Sequence, residues 1–130
     1  MTATTTKKST PVLFVDAIEP SIAFWEALGL QKSIEVPESD RLGFVILNAG
    51  SVEVMYQTIT SLRADSPSHA VHFNNDKSYL FVEVDSIDVA EKALAKFEVV
   101  MPKRQTFYGS TEIGYREPGG HFVTIAQMKR

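Results

Sequence analysis

The strongest candidate for chemistry in this sequence is a single carboxylate, Glu53, in a strand-like run. Residues 52–57 read Val-Glu-Val-Met-Tyr-Gln, so strand alternation puts Glu53, Met55 and Gln57 on one face. If that face lines a half-apolar cleft, burial raises the pKa of Glu53. It would then serve as a general base or as the partner of a cationic ligand. A solvent-facing carboxylate, or one paired with Arg41, is an equally good interpretation, because no second catalytic group accompanies it.

Aromatic side chains are a second kind of candidate, since they form walls for planar or amphiphilic molecules. By strand alternation, Phe14, Tyr79 and Phe81 project toward one cleft. Each of them is also an ordinary core residue, and that interpretation is favoured for any single one. Arg104 and Arg116 could meet an anionic ligand, although a solvated surface arginine is the default.

The three histidines do not form a recognisable metal or catalytic site. His69 and His72 are three residues apart, so one helical turn could bring them together, but no third ligand accompanies them. His121 lies in a Gly-Gly-His turn, and we assign it no chemistry. The chain contains no cysteine and lacks a glycine-rich phosphate loop, a nucleophile elbow and a Ser–His–Asp order. We therefore expect no thiol chemistry, no metal and no other cofactor.

Length and composition indicate one domain with an ordinary core. The chain has 130 residues, of which 44% are hydrophobic, enough to bury a core without disulfides. Its net charge is -3, and the nearest candidate for a basic stripe, Lys103-Arg104, has only two residues, which argues against nucleic-acid binding. No apolar run approaches the roughly 18 residues of a membrane span. Residues 1–9 lack the apolar segment of a secretory signal and are expected to be a disordered lead-in, so we expect a cytoplasmic protein.

The elements that must position these residues follow a strand–helix–strand–strand–strand order twice. Strands are predicted at 11–15, 30–36, 42–47 and 52–57, and again at 79–84, 99–104, 111–117 and 122–127. The first helix is predicted between Pro20 and Gly29, which suit a helix start and a helix end. The second is predicted to begin at the Asp85-Ser86 cap. Residues 58–78 connect the halves, with a helical turn at 61–65.

The repeat is visible in the residues as well as in the pattern. Val15-Asp16-Ala-Ile-Glu is echoed 69 positions later, from Val84, and the run that begins at Gly50 is echoed 70 positions later, from Gly120. One such unit leaves a sheet face uncovered, so two units must pair and can leave a cleft between them. We predict an α+β fold, with two tandem βαβββ units forming curved mixed sheets around a cleft. The single domain covers 10–128, with units at 10–57 and 79–128.

Across nearly its whole length the chain resembles the vicinal-oxygen-chelate superfamily of glyoxalases, bleomycin-resistance proteins and extradiol dioxygenases. The segments that carry the resemblance are Thr10-Pro-Val-Leu-Phe-Val-Asp16, Ile22-Ala-Phe-Trp25 with Leu28-Gly-Leu30, 52–57 and 113–127. The last segment resembles the family's Asp-Pro-x-Gly-His turn, with Glu117 in place of the aspartate. In this order the motifs are specific for the fold but not for an activity.

In metal-using members, the resemblance implies one ligand on the first and last strand of each unit. The matching positions fall near Thr10 and Glu53 in the first unit, and near Tyr79 and Thr124 in the second. Only Glu53 is a strong ligand, and nothing supplies imidazole. The resemblance therefore implies a cleft and not a metal-dependent glyoxalase or dioxygenase.

The resemblance favours a binding protein of the bleomycin-resistance kind, which takes a small apolar or aromatic molecule in a metal-free cleft of a homodimer. It also places Tyr108 and Tyr115 near the cleft rim. The predicted ligand-binding residues are Phe14, Met55, Gln57, Tyr79, Phe81, Tyr108, Tyr115 and Thr124. The alternative is a lyase or isomerase with Glu53 as general base and Tyr79 or Tyr115 as proton donor. A regulatory or partner-binding module with a vestigial cleft is a third possibility.

Overall fold

The chain builds the strand–helix–strand–strand–strand unit twice, as the sequence predicts. The structure is a computed structural model, and it describes residues 3–129. Residues 3–11 have no regular secondary structure. Met1 and Thr2, part of the predicted lead-in, lie outside the described residues. Among residues 3–129, no helix combines the length and apolar character that a membrane crossing requires.

The first unit is a four-stranded sheet with one helix. Its elements are β1 (Val12–Val15), α1 (Glu19–Ala27), β2 (Gln31–Glu38), β3 (Arg41–Ala49) and β4 (Val52–Thr58). The strand order is β1-β4-β3-β2, with β1 parallel to β4 and the other pairs antiparallel. Pro20 lies in the first turn of α1, as predicted. Gly29 follows the helix with a φ of 91°, a left-handed conformation that glycine adopts without strain.

The second unit repeats this arrangement. Its elements are β5 (Tyr79–Glu83), α4 (Ile87–Ala93), β6 (Glu98–Gln105), β7 (Ser110–Arg116) and β8 (Phe122–Met128). The strand order is β5-β8-β7-β6, again with one parallel pair, β5 with β8. Ser86 caps α4, because its Oγ accepts a hydrogen bond from the Val89 backbone N–H at 3.2 Å. The predicted α+β fold of two βαβββ units is therefore confirmed.

Two short helices connect the units. They are α2 (Ile59–Asp65), which contains the predicted turn at 61–65, and α3 (Pro67–Ala70). Thr58 caps α2 by accepting a hydrogen bond from the Ser61 N–H at 3.0 Å. The sequence did not indicate α3, because a four-residue helix is too short to show an apolar period.

Each sheet has one face packed on the helix layer, the helix face, and one face that its own unit leaves uncovered, the open face. In β4, Val54 and Tyr56 are buried on the helix face, whereas Glu53, Met55 and Gln57 are half-buried on the open face. The same alternation holds in β8 from Phe122 to Ile125, after which Ala126 is buried as well. Side chains of both helix faces join one hydrophobic cluster with α1 and α4. Burial of this cluster is the main stabilising contribution to the fold.

Helix α1 contributes to the core of both units. The Phe24 ring packs edge-on against Phe97 and Tyr115 of the second unit, at centroid distances of 5.2 and 6.0 Å. The neighbouring Trp25 turns toward the first sheet, where its Nε1 donates to the Tyr56 hydroxyl at 2.8 Å. This helix thus ties the two units together.

The turn between β7 and β8, residues 117–121, also reaches into the first unit. Glu117 is 1% exposed, and its carboxylate accepts hydrogen bonds from the Tyr56 hydroxyl at 3.1 Å and from the His121 N–H at 2.7 Å. A Cβ at Gly119 would lie 2.6 Å from Val15 Cγ1, so only glycine lets the turn approach this closely. The family-like turn is therefore a contact between the units.

His121 completes this contact with its ring. Its Nδ1 accepts a hydrogen bond from the Ser78 N–H at 2.9 Å. Its Nε2 therefore carries the proton and donates to the Phe14 carbonyl oxygen at 2.9 Å. We assigned no chemistry to His121 from the sequence. In the structure its ring joins the start of the second sheet to β1.

The strand registers correct the spacing of the repeat. Val12 pairs with Met55 and Phe81 pairs with Thr124, so both strands of the central pair shift by the same number of positions between units. The shift is 69, because it matches buried Val54 with buried Val123. The 70-residue echo beginning at Gly50 and Gly120 would match Val54, on the helix face, with Thr124, on the open face. A one-residue slip changes the face of every side chain. Glu53 therefore corresponds to Phe122, and Thr124 corresponds to Met55.

Candidate functional site

Glu53 lies on the open face of the first sheet in a polar cluster. Its Oε1 pairs with Lys8 Nζ at 3.0 Å and accepts a hydrogen bond from the Thr10 hydroxyl at 3.0 Å. The Lys8 ammonium, and then the Thr10 hydroxyl, hold the pKa of Glu53 below its ordinary value. The expected rise in pKa is therefore wrong, because the preceding segment brings a cation to the carboxylate. A low pKa makes Glu53 a weaker base near neutral pH.

The other predicted residues of the first unit extend along the same open face. Met55 lies between Glu53 and Gln57 on β4. The Gln57 amide donates to the Ser61 hydroxyl of α2 at 3.1 Å. On β1, the Phe14 ring packs edge-on against Phe73 of the connecting segment, with centroids 5.5 Å apart. This face is polar at its Glu53 end and apolar toward α2.

The predicted residues of the second unit form an aromatic surface. Tyr79 is 79% exposed and Phe81 is 56% exposed. The Tyr79 ring stacks on Phe122 with a centroid distance of 4.8 Å and an interplanar angle of 16°, and the Arg116 guanidinium lies 5.1 Å from the Phe122 centroid. Thr124 is the register partner of Phe81. These side chains lie together on the open face of the second sheet.

The two tyrosines expected at the cleft rim lie in different places. Tyr108 is half-exposed, and its hydroxyl donates to Glu112 Oε2 at the edge of the second open face. Tyr115 is 2% exposed and packs on the helix face against Phe24. The structure therefore does not bring Tyr115 to the open face, because in β7 it shares the side of Ile113.

Sequence reasoning missed Glu112, a second buried carboxylate. It is 1% exposed and accepts hydrogen bonds from Tyr108, from the Ser110 hydroxyl at 2.8 Å and from Arg104 Nη2 at 3.2 Å. Burial raises the pKa of Glu112, but these three donors outweigh it and leave the pKa below its ordinary value. Its one sequence signal is a carboxylate in a strand otherwise rich in apolar and small residues. Arg104, named as a possible anion contact, is here used within the protein.

The positions implied for metal ligands do not fit a metal. Thr10 and Glu53 bond each other, while the corresponding pair in the second unit, Tyr79 and Phe122, is a ring stack. Within residues 3–129, no three His, Asp or Glu side chains lie close enough to share an ion. A site with one carboxylate already paired to Lys8 lacks the donors that a divalent ion needs.

The three histidines do not form a site together. The His69 Nδ1 lies 3.0 Å from the Ser66 hydroxyl in the connecting segment. His72 follows α3, and it forms no ligand cluster with His69 among the described residues. His121 is committed to the contact between units.

The larger cavities lie at the ends of the sheets. One of about 500 Å³ is lined by the end of β1, the start of β3, α2 and residues 73–75. A second, of about 420 Å³, lies beside the β6–β7 turn and the end of β8. Neither these two cavities nor two smaller ones in the described part of the chain are lined by Glu53 or Tyr79. The two open faces are thus separate surfaces in one chain.

Several solved structures are similar to this chain over almost its whole length. A glyoxalase/bleomycin resistance protein/dioxygenase from Nocardioides has a TM-score of 0.73 and 20% identity, covering 98% of this chain and 86% of that one. A glyoxalase/bleomycin resistance protein/dioxygenase family enzyme from Burkholderia phytofirmans PsJN has a TM-score of 0.74 and 17% identity, covering 93% and 98%. A lactoylglutathione lyase from Agrobacterium tumefaciens has a TM-score of 0.74 and 18% identity, covering 95% of each chain.

These comparisons concern the fold. No protein-family model matches the sequence, and no curated protein is similar enough to count as a relative. At 17–20% identity, the similarity to these solved structures shows a shared fold and does not show a shared activity. The chain has the fold of the glyoxalase/bleomycin resistance protein/dioxygenase structures, as the sequence resemblance implies.

Proposed function

We propose that this protein binds a small apolar or aromatic molecule on the open faces of its sheets, without a metal. The observation that carries the proposal is the exposure of large apolar side chains in register on these faces. Tyr79, Phe81 and Ile34 are 79%, 56% and 51% exposed. Contiguous exposed apolar surface on a folded domain marks a binding site more often than scattered single residues do.

The second open face has the features of an aromatic wall. The stack of Tyr79 on Phe122 holds both rings in a defined orientation, so little conformational freedom is lost when a planar ligand packs on them. Offset stacking on such rings adds to the free energy of burial. The Thr124 hydroxyl beside Phe81 offers one polar contact within this apolar surface.

The first open face provides a second apolar surface. Phe44 pairs with Gln57, and Ile46 pairs with Met55, so these side chains share the face with Phe14. Binding here requires no titration of Glu53. The alternative role of Glu53 as a general base is not favoured, because Lys8 keeps its pKa low.

The proposal includes a homodimer. Each open face lacks an opposite wall in one chain, and ligand sites bury most of the surface of the molecule they hold. A second copy of the chain would supply that wall. A stable interface of this kind buries at least about 1,200 Å² in total. Size-exclusion chromatography with light scattering would give a dimer mass, and a monomer at micromolar concentration would contradict this part.

The binding proposal is tested with a panel of neutral aromatic and aliphatic probes, measured by isothermal titration calorimetry. We expect micromolar binding of at least one aromatic probe, with a negative heat-capacity change from apolar burial. Phe81→Ala should weaken that binding about tenfold, since it removes exposed ring surface from the face.

The matched control is Val89→Ala on α4. Val89 is 68% exposed but lies on the other side of the sheet, so its loss should leave binding unchanged. Equal effects of the two substitutions, or no binding of any probe in the panel, would contradict the proposal.

A further inference from the structure

The cavity of about 500 Å³ at the end of the first sheet is lined by two arginines from separate elements. Arg41 begins β3 and Arg63 lies in α2. Its volume lies within the range of small-molecule sites. Two arginines that line one cavity can offer it planar, charged donors, which suit oxyanions.

Among the residues that line this cavity, arginines outnumber carboxylates. The Arg63 side chain forms no ion pair or hydrogen bond among the described residues. Arg41 has one long contact, 3.5 Å to Glu38 Oε2, and the Glu38 carboxylate also accepts the Thr58 hydroxyl at 3.1 Å. Asp16 is the one carboxylate in the lining. Guanidinium charge therefore exceeds carboxylate charge at the lining.

The same cavity carries neutral donors and an apolar edge. Thr60, Asn74 and Asn75 contribute a hydroxyl and two amides to the lining. Phe73 lines it as well, and the Phe73 ring contacts Phe14 on the open face. The cavity thus borders the apolar surface described above, so one molecule could contact both.

The geometry points to a recess for an anionic group: the ligand of this protein is an apolar molecule that carries a carboxylate, bound by Arg41 and Arg63. This inference rests on the proposed function and names the class of its ligand. It replaces the cationic partner expected for Glu53, because Lys8 already fills that role. The apolar part of the ligand would pack near Phe14 and Phe73.

The test compares naphthalene-2-carboxylate with its neutral isostere naphthalene-2-carboxamide by isothermal titration calorimetry at low ionic strength. We expect the carboxylate to bind about tenfold more tightly, as charge-assisted hydrogen bonds allow. Arg63→Gln should remove that preference and leave amide binding unchanged. Lys92→Gln is the matched control, because it removes the same charge from an exposed position on α4.

The outcomes separate the two proposals. A preference that is lost in Arg63→Gln and kept in Lys92→Gln supports the recess. Equal binding of both probes, or equal losses in the two variants, overturns the recess and leaves the apolar site standing. If neither probe binds, the recess is overturned. The lack of binding of the neutral amide then also counts against the proposed function.

Discussion

The two units place different chemistry at the same positions of the same fold. On the first open face, Thr10 and Glu53 form a polar pair neutralised by Lys8. At the corresponding positions of the second unit, Tyr79 and Phe122 form a ring stack. The difference shows that the duplication preserves strand register and burial and leaves the open faces free to diverge. A four-ligand metal site needs metal-binding side chains at these positions in both units, and the second unit has two aromatic rings there.

The helices differ as much as the open faces do. Phe24 of α1 is fully buried between the units, while the position 69 residues later, Ala93 of α4, is exposed. Both helices contribute to the common core, since Ile87 and Ala90 of α4 are buried in it. The contact is one-sided only at this position, where α1 places a ring against the second unit and α4 has an exposed alanine. The predictions below test these contrasts from the largest expected effect to the smallest.

The largest effect should come from Phe24→Ala. Truncation of a fully buried ring removes its transfer free energy and leaves a cavity, so we expect a loss of about 3–5 kcal/mol in the free energy of unfolding. Urea denaturation followed by circular dichroism measures it. Val89→Ala on α4 is the control and should change stability by less than about 0.5 kcal/mol. Similar losses for both variants would contradict the role of the Phe24 ring in the core shared by the two units.

Glu112→Gln should have the next effect. It replaces a buried carboxylate held by three donors, which costs about 1.5–3 kcal/mol near neutral pH. Because the folded pKa of Glu112 is below the unfolded value, its ionised form stabilises the fold above about pH 4.3. That contribution is lost as pH falls through the folded pKa. The stability difference between wild type and variant should therefore shrink from pH 7 to about pH 3. A pH-independent difference would show that the carboxylate charge plays no part.

Phe122→Ala should weaken aromatic-probe binding more than it affects the fold. Loss of one ring of the stack with Tyr79 removes about 0.5–1.5 kcal/mol of aromatic contact, seen as a threefold to tenfold increase in Kd. Val89→Ala removes an exposed side chain on the other side of the sheet and serves as the control. Unchanged Kd in the first variant would place the ligand elsewhere than the second open face.

The smallest effect should come from the polar pair of the first unit. Glu53→Gln should change probe binding and thermal stability little, because the Lys8 side of the ion pair is open to solvent and such pairs contribute little. The informative quantity is the carboxyl pKa, which NMR titration reads directly. It should lie below the ordinary value of about 4.3 and rise in Lys8→Met. A pKa above the ordinary value would restore the general-base interpretation.

Much of the fold could be predicted because its signals are local. Alternation in residues 52–57 and the end signals at Pro20, Gly29 and Ser86 each depend on neighbours in sequence, and the structure confirms them. The repeat gave the unit order but not the register. One echo was off by a residue, which only the strand pairing corrects.

The site was less predictable because its residues depend on distant partners. Glu53 has a low pKa because of Lys8, in a segment with no regular secondary structure. Glu112 accepts hydrogen bonds from Arg104, Tyr108 and Ser110. Their spacing in the sequence does not predict that all three meet one carboxylate. Tyr115 is a different case. Alternation within its own strand, where it shares a side with Ile113, was enough to assign it to the core.

The turn at residues 117–121 has a consequence for how the chain folds. Tyr56 meets Glu117 across 61 residues, and Phe14 meets His121 across 107. Such distant contacts form late and slow the rate-limiting step of folding, so the first half cannot complete its interior before the second half exists. Because these contacts join the two halves, we expect the halves to unfold together as one cooperative body.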